Sequence, residues 1–313
     1  LLVSGADAEL RSDLIDAIQA LDPDRDLATV PGDAETLEAD LERVLAMEDV
    51  ALAVIELGLD DDPAVALDAV EPLVEDEAAV LIGVLVALDA GRTWTDFREG
   101  EATLAQHLVM SIESASLVVL ANSADVPEAT MRLVDGLAHN LNPTAAVLRL
   151  EDLAGRTLPE LAQVIAEAEA GDDADVDEDD EALAGEVDAW GFNSFTWTSE
   201  SRLDRGRFMA MFENWPVEVL RAHGVVRLAD GATAVLSVVR DTVAIDEYDE
   251  GDDHDHDHDH DHDHDHAHDH GHEVELDGDT ELDLGEDESE VAFVGMDMPV
   301  TDLVARLDAC QAD

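Results

Sequence analysis

The chain has 313 residues, room for about two domains, and 46% of them are apolar, enough to build real cores. Against 79 acidic residues stand 15 basic ones, every one an Arg, for a formal charge of −64; no basic patch is available for nucleic acid or for an anionic membrane surface. The single cysteine, Cys310, excludes an internal disulfide, and no apolar run reaches the roughly 18 residues that a membrane-spanning helix needs.

The charge balance resembles that of proteins adapted to molar salt, where a Debye length of about 3 Å screens carboxylate repulsion. No signal peptide is visible, so the expected location is cytoplasmic, although Leu1, with no Met before it, already falls within a strand. That strand runs over Leu1–Ser4 and ends at Gly5. Residues 7–21 read as an amphipathic helix with Leu10, Leu14, Ile15 and Ile18 on one face. Residues 23–29 read as a polar connection and 34–46 as a second helix. The run VALAVIEL at 50–57 is the near-continuous apolar stretch expected of a parallel strand covered on both faces. A helix over 64–74, a strand over 79–88 ending at Asp89, a helix over 103–114, a strand over 117–120, a helix over 128–141, a strand over 145–150 and a helix over 158–169 follow. This alternation predicts an α/β domain with a doubly wound parallel sheet over 1–170, its ligand sites at the carboxyl ends of the strands.

Residues 171–189 are rich in Asp, Glu, Gly and Ala and read as an acidic linker. From 190 to 313 the rhythm changes to a small α+β domain. A half-buried strand is expected over 192–198, a helix over 205–214, antiparallel strands over 219–228 and 234–245 joined at Asp230-Gly231, a strand over 291–294 and a helix over 300–309. Trp190, Trp197 and Trp215 are expected in its packing, as is Cys310. Residues 250–290 read as a disordered insertion rich in His and Asp.

Within that insertion stand His254, His256, His258, His260, His262, His264, His266, His268, His270 and His272, ten histidines at every second position with Asp, Ala or Gly between them. Neutral imidazole is a favoured ligand for zinc, cobalt, nickel and copper, and such tracts read as metal binding. An extended chain would set the ten imidazoles on one face about 6–7 Å apart. The alternating carboxylates attract cations and can orient ligands, yet they also favour protonated imidazole, so protons compete with metal. Several interchangeable sites suit a metal buffer or loading zone. His107, His139 and His223 have no partner at ligand spacing and read as packing or surface residues.

Several segments together resemble the CobW-like GTPases, P-loop proteins that act as metal chaperones and cofactor-insertion factors. In the second domain these are Gly191-Phe192-Asn193-Ser194-Phe195, Arg207-Phe208, Glu213-Asn214-Trp215-Pro216, Val219-Leu220-Arg221-Ala222-His223-Gly224, Phe293-Val294-Gly295-Met296-Asp297 and Leu307-Asp308-Ala309-Cys310. In the first, Val54-Ile55-Glu56 with Asp62-Pro63 is similar to the family's E-T-T-G-x-x-D-P segment, and Leu85-Val86-Ala87-Leu88-Asp89-Ala90 to its V-V-D-A strand end. The resemblance implies a P-loop NTPase-like first domain, GTP and Mg²⁺ as cofactors, Zn²⁺, Co²⁺ or Ni²⁺ as cargo, and a metal-receiving client protein or an intact CobW-like relative as partner. It points to Gly5 as a phosphate contact, to Asn122 and Asp125 of Asn122-Ser123-Ala124-Asp125 as guanine contacts, and to Glu56 and Asp89 as holders of Mg²⁺ through water.

The departures fall on the chemistry. The family's phosphate loop is G-x-x-G-x-G-K-T, whereas residues 4–12 read SGADAELRS, in which only Gly5 fits. The glycines that let backbone N–H groups cradle phosphate are absent, Asp7 and Glu9 would repel it, and Arg11 does not stand where the lysine stands. The family's G-C-x-C-C metal motif is missing, and Ser123 replaces the lysine that packs over the guanine ring. The expectation is a metal-binding protein of the metallochaperone type in which GTP hydrolysis is lost or very slow.

Overall fold

A computed structural model describes residues 1–47, 50–75, 78–170, 187–249 and 288–312. The linker expected over 171–189 and the insertion expected over 250–290, with its ten histidines, therefore lie outside the described residues except at their last few positions. Those positions are built in. Val187 bridges to Asn193, Asp188 Oδ1 accepts from the N–H groups of Trp190 and Phe192, both at 2.8 Å, and Ser289 and Glu290 already belong to a strand.

The first domain is built from β1 (Leu2–Ser4), α1 (Ala8–Leu21), β2 (Asp26–Pro31), α2 (Leu37–Leu45), β3 (Val50–Leu57), α3 (Pro63–Glu75), β4 (Val84–Asp89), α4 (Thr93–Glu99), α5 (Ala102–Glu113), β5 (Leu117–Ala121), α6 (Glu128–Leu141), β6 (Ala146–Arg149) and α7 (Leu158–Ala170). Its six strands are ordered β2-β3-β1-β4-β5-β6 and all pair in parallel. This is the doubly wound sheet expected. The pleat sends alternate residues to opposite faces. Val84, Val86 and Leu88 join one core with Val118 and Leu120, while Leu85 and Ala87 join the other with Leu117, Val119 and Ala121. Helices α1 and α7 cover the second face through Leu10, Leu14, Ile18, Leu161 and Ile165.

In this domain two expectations need correction and one element was not foreseen. The polar connection over 23–29 contains an edge strand, β2, which pairs with β3 alone. An edge strand has one face of its ladder unpaired, so it tolerates polar residues and ends here on Pro31. The strand expected from 79 begins at Val84, where its register with Leu2 begins; Val80 is exposed. Residues 93–99 form a short helix that periodicity did not reveal.

The second domain comprises β7 (Asn193–Ser199), α8 (Arg205–Met211), β8 (Val219–Arg227), β9 (Ala232–Val239), β10 (Thr242–Asp249), β11 (Ser289–Gly295) and α9 (Val300–Asp308). Its five strands are ordered β10-β9-β8-β11-β7 and are antiparallel throughout. The strand expected over 234–245 is two strands. They meet at a tight turn in which Arg240 has a left-handed φ of 58°, with Val239 paired to Thr242. Helices α8 and α9 cover one face through Phe208, Met211, Leu303 and Leu307, with Phe195 stacked on its register partner Phe293 at 4.6 Å. Residues 250–288 join edge strand β10 to β11, an inner strand. Among the described residues no helix is long and apolar enough to cross a membrane.

The other face of the second sheet packs on the first domain. Leu220, Val239 and Val294 alternate out of the second core into the first. Phe192 meets Trp94 edge-on at 5.9 Å, beside Gly136 of α6, where an added Cβ would lie 2.7 Å from the Phe192 ring. At the centre Arg221, 7% exposed, grips Glu113 at the end of α5 with Nε and Nη2, at 2.7 and 3.1 Å. Its Nη1 donates to Ser237 Oγ at 2.8 Å. Replacing Glu113 with Ala strands that guanidinium. Allowing for the partial exposure of Glu113, we expect a loss of about 2–3 kcal/mol in unfolding free energy, read by denaturant titration in high salt.

Candidate functional site

In open parallel sheets the ligand crevice lies beyond the carboxyl ends of the strands, at the point where chain order reverses. Here that point lies beside β1, flanked by β3 and β4. A cleft of about 300 Å³ opens there, with Ala6, Asp7 and Leu10 on one side and Asp89, Arg92 and Asp96 on the other. Its charges are mainly carboxylates, Glu101 included, and Arg92 is itself paired with Asp96 at 3.5 Å.

The loop after β1 is short because Gly5, at φ 151°, lies so close to β4 that an added Cβ would stand 2.7 Å from the Ala87 carbonyl oxygen. Helix α1 then begins at once. Its N-terminus is closed by Asp7, whose side chain accepts from the N–H of Glu9 at 2.9 Å and of Leu10 at 3.5 Å. A carboxylate is favoured at a helix N-terminus, where free N–H groups and the helix dipole would otherwise attract an external anion. The donors that a phosphate would use are thus engaged by the chain's own anion. Arg11 turns away from the cleft mouth. Its Nε donates to Glu56 Oε1 at 3.0 Å and its Nη1 to the Gly5 carbonyl at 2.6 Å, tying the loop to the end of β3.

The remaining sequence-selected residues are arranged as follows. Glu56 carries the Arg11 ion pair. Asp89 caps the turn after β4, accepting from Gly91 N at 2.8 Å and Arg92 N at 3.0 Å, and its other oxygen accepts from Asn122 Nδ2 at 2.7 Å. Asn122 holds a left-handed φ of 55°, a conformation Asn tolerates better than most side chains. Asp125 is exposed. Glu56 and Asp89 therefore serve structural partners, Asn122 is joined to Asp89, and Gly5 joins Arg11 through its carbonyl. Ser123, which sequence reasoning treated as a lost lysine, donates to Glu151 Oε1 at 2.6 Å and holds that carboxyl below its usual range.

Beneath the cleft runs a buried polar chain that no motif announced. Ser4 Oγ lies 2.9 Å from Ser111 Oγ, which lies 3.3 Å from His107 Nε2. Burial, then the Arg11 charge, lowers the pKa of His107 below 6.5. The signal for it was a spacing of four between His107 and Ser111 on a buried helix. The residues present do not fit a triphosphate with Mg²⁺: the glycine cradle is replaced by a capped turn, the helix-end donors are engaged, and the mouth is acidic. Among the described residues no group of three or more His, Cys, Asp or Glu is placed to hold a metal ion.

Residues 192–311 match the family described as the cobalamin synthesis protein cobW C-terminal domain. No curated protein sequence matches the chain. Among solved structures it is similar to the Zn(II)-bound YjiA GTPase from E. coli, at 15% identity over 99% of this chain and 98% of that one, with a TM-score of 0.41. A Zn(II)-bound triple mutant of that GTPase aligns over the same shares, at 13% identity and a TM-score of 0.39.

His107 supplies a test of the polar chain. Its folded pKa lies below the unfolded value, so its contribution is present above about pH 6.5 and is lost as pH falls, when only the unfolded chain takes up the proton. We expect wild-type stability to fall more steeply than that of His107→Gln between pH 7.5 and 5, by at most about 1.4 kcal/mol per pH unit, in paired denaturant titrations. Parallel curves would place His107 outside the network.

Proposed function

We propose that this chain, whose residues 192–311 match the CobW C-terminal domain, is a metal-handling protein of the CobW-like metallochaperone type that has given up GTP hydrolysis. It captures Zn²⁺, Co²⁺ or Ni²⁺ through His254–His272 and buffers the metal or passes it to a client protein docked on the second domain. The observation that carries the reading is the tract itself: ten imidazoles at every second position. They stand in a chain whose described residues offer no other cluster of three metal ligands. Imidazole binds metal in its neutral form, so loading releases protons and acid discharges the tract. The carboxylates between the histidines raise local cation concentration and sharpen that pH dependence. Ligands so numerous and so alike suit exchange between sites rather than one tight structural site, and selectivity then comes from metal supply and from the receiving partner.

The self-capped end of α1 supports the second half of the proposal. Phosphoryl transfer depends on positioning and charge neutralisation. Here Asp7 stands where phosphate would bind, and the one nearby cation, Arg11, is held by Glu56 and the Gly5 carbonyl. The first domain then acts as a scaffold for the second. The same feature suits a non-catalytic partner of an intact CobW-like GTPase, which co-purification with such a relative would reveal.

Equilibrium dialysis against Zn²⁺, in about 2–3 M KCl to screen the carboxylates, should show several ions per chain. Almost all should be lost on deletion of 254–272, and cells carrying the deletion should lose metal tolerance. Unchanged metal content would sink the metal role. In the same salt, GTP with Mg²⁺ should neither bind nor turn over, with or without Zn²⁺. Metal-dependent turnover would show that the loop still works as a nucleotide switch.

A further inference from the structure

A second cavity, of about 410 Å³, lies where α4 of the first domain meets the turn between β9 and β10. Its size falls in the range of small-molecule sites, which favour domain junctions, apolar walls and a few convergent polar groups. The walls here are mainly Phe212, Trp215, Val217 and Val243, and the charged groups are the cations Arg98 and Arg240 and one carboxylate, Asp241.

Neither arginine lies against a close carboxylate. With 79 carboxylates present, several guanidiniums find one close by: Arg11, Arg25, Arg43, Arg92, Arg205, Arg221 and Arg306 all do. Arg98 makes no ion pair among the described residues; it lies over the Trp94 ring at 5.8 Å. Arg240 is fixed instead by two neutral acceptors, the Phe97 and Gly100 carbonyls, both 2.9 Å from Nη1. Its nearest carboxylate, Asp241, is 3.9 Å away and 85% exposed. A guanidinium held by carbonyls is oriented without being neutralised, so its charge remains available to an incoming anion. The apolar side is equally open. Val217 is 77% exposed at the rim. Trp215 packs on Phe212 at 5.0 Å, with its indole N–H buried and lacking an acceptor among the described residues. The cleft beside β1, by contrast, is lined by carboxylates and repels what this pocket attracts.

We propose that the interdomain pocket binds a small organic anion, a carboxylate carried on a flat apolar body. Arg98 and Arg240 hold the carboxylate, and the body lies against Trp215 and Val217. Because one arginine comes from each domain, the bound acid bridges the two and raises the melting temperature of the whole chain. The site is separate from the metal role and stands or falls without it.

The test uses the full chain with 2-naphthoate as probe and 2-naphthamide, its neutral isostere, as control, followed by calorimetric titration and thermal melting. The acid should bind and raise the melting temperature, with the amide at least about tenfold weaker. Arg98→Gln and Val217→Asp change exposed positions, so both variants should melt normally without ligand, and each should weaken the acid at least about tenfold. Equal affinity for acid and amide would overturn the proposal, as would failure of the acid to bind or unchanged affinity in both variants. Arg98-dependent binding of an acidic tryptophan-containing peptide, with none of the free acid, would also overturn it in favour of a protein partner.

Discussion

A guanidinium has five donors and a charge it cannot lose, and in this chain fifteen of them face 79 carboxylates. With no lysine available, joints that need a cation use Arg, and the positions of those residues trace how the parts are held. Arg11 binds the loop after β1 to the end of β3. Arg221 joins the two domains through Glu113. Arg205 pairs with Asp230 at 2.6 Å and with Glu247 on β10, fastening α8 to both hairpins of the second sheet. Arg306 fixes α9 to Asn214 through a carbonyl at 2.8 Å. Cations this scarce in a field this negative are drawn to carboxylates, and where none is in reach a backbone carbonyl holds them.

The same constraint shaped the crevice. A nucleotide brings several negative charges and needs cations, free backbone donors and glycine around it. Here the mouth is acidic, the helix-end donors are taken by Asp7 and the nearby Arg11 is paired. Around it stand parallel strands, a tight turn at Gly5 and a helix starting immediately after it.

Much of the fold was legible in local pattern. Long apolar runs such as 50–57 and 117–120 marked buried parallel strands, and 3.6-residue periodicity marked α1, α6 and α7. What escaped had weak local signals. Edge strand β2 is polar because only one side of its ladder is paired, and α4 is too short for a periodic face. The turn at Arg240 lacks the glycine or asparagine that usually announces such a turn. Of the selected side chains, the sequence placed Asn122 and Asp89 at strand ends but could not join them. It placed Asp7 at the first position of a helix, one residue before the observed start, and read its charge only as repulsion.

The sequence by itself determined the two-part architecture, the surplus of negative charge, the likeness to CobW proteins and the histidine tract. Each of these is written in composition, period or spacing, which need no long-range contact. Only the tertiary structure decided which carboxylate each arginine found, that Asp7 closes α1 and that Arg221 clamps the domains across 108 residues of chain. It also brought Arg98 and Arg240 together in one pocket. Those pairings join segments distant in sequence, and charge alone cannot choose among 79 possible acidic partners. Packing chooses them, by fixing which side chains come within hydrogen-bond reach.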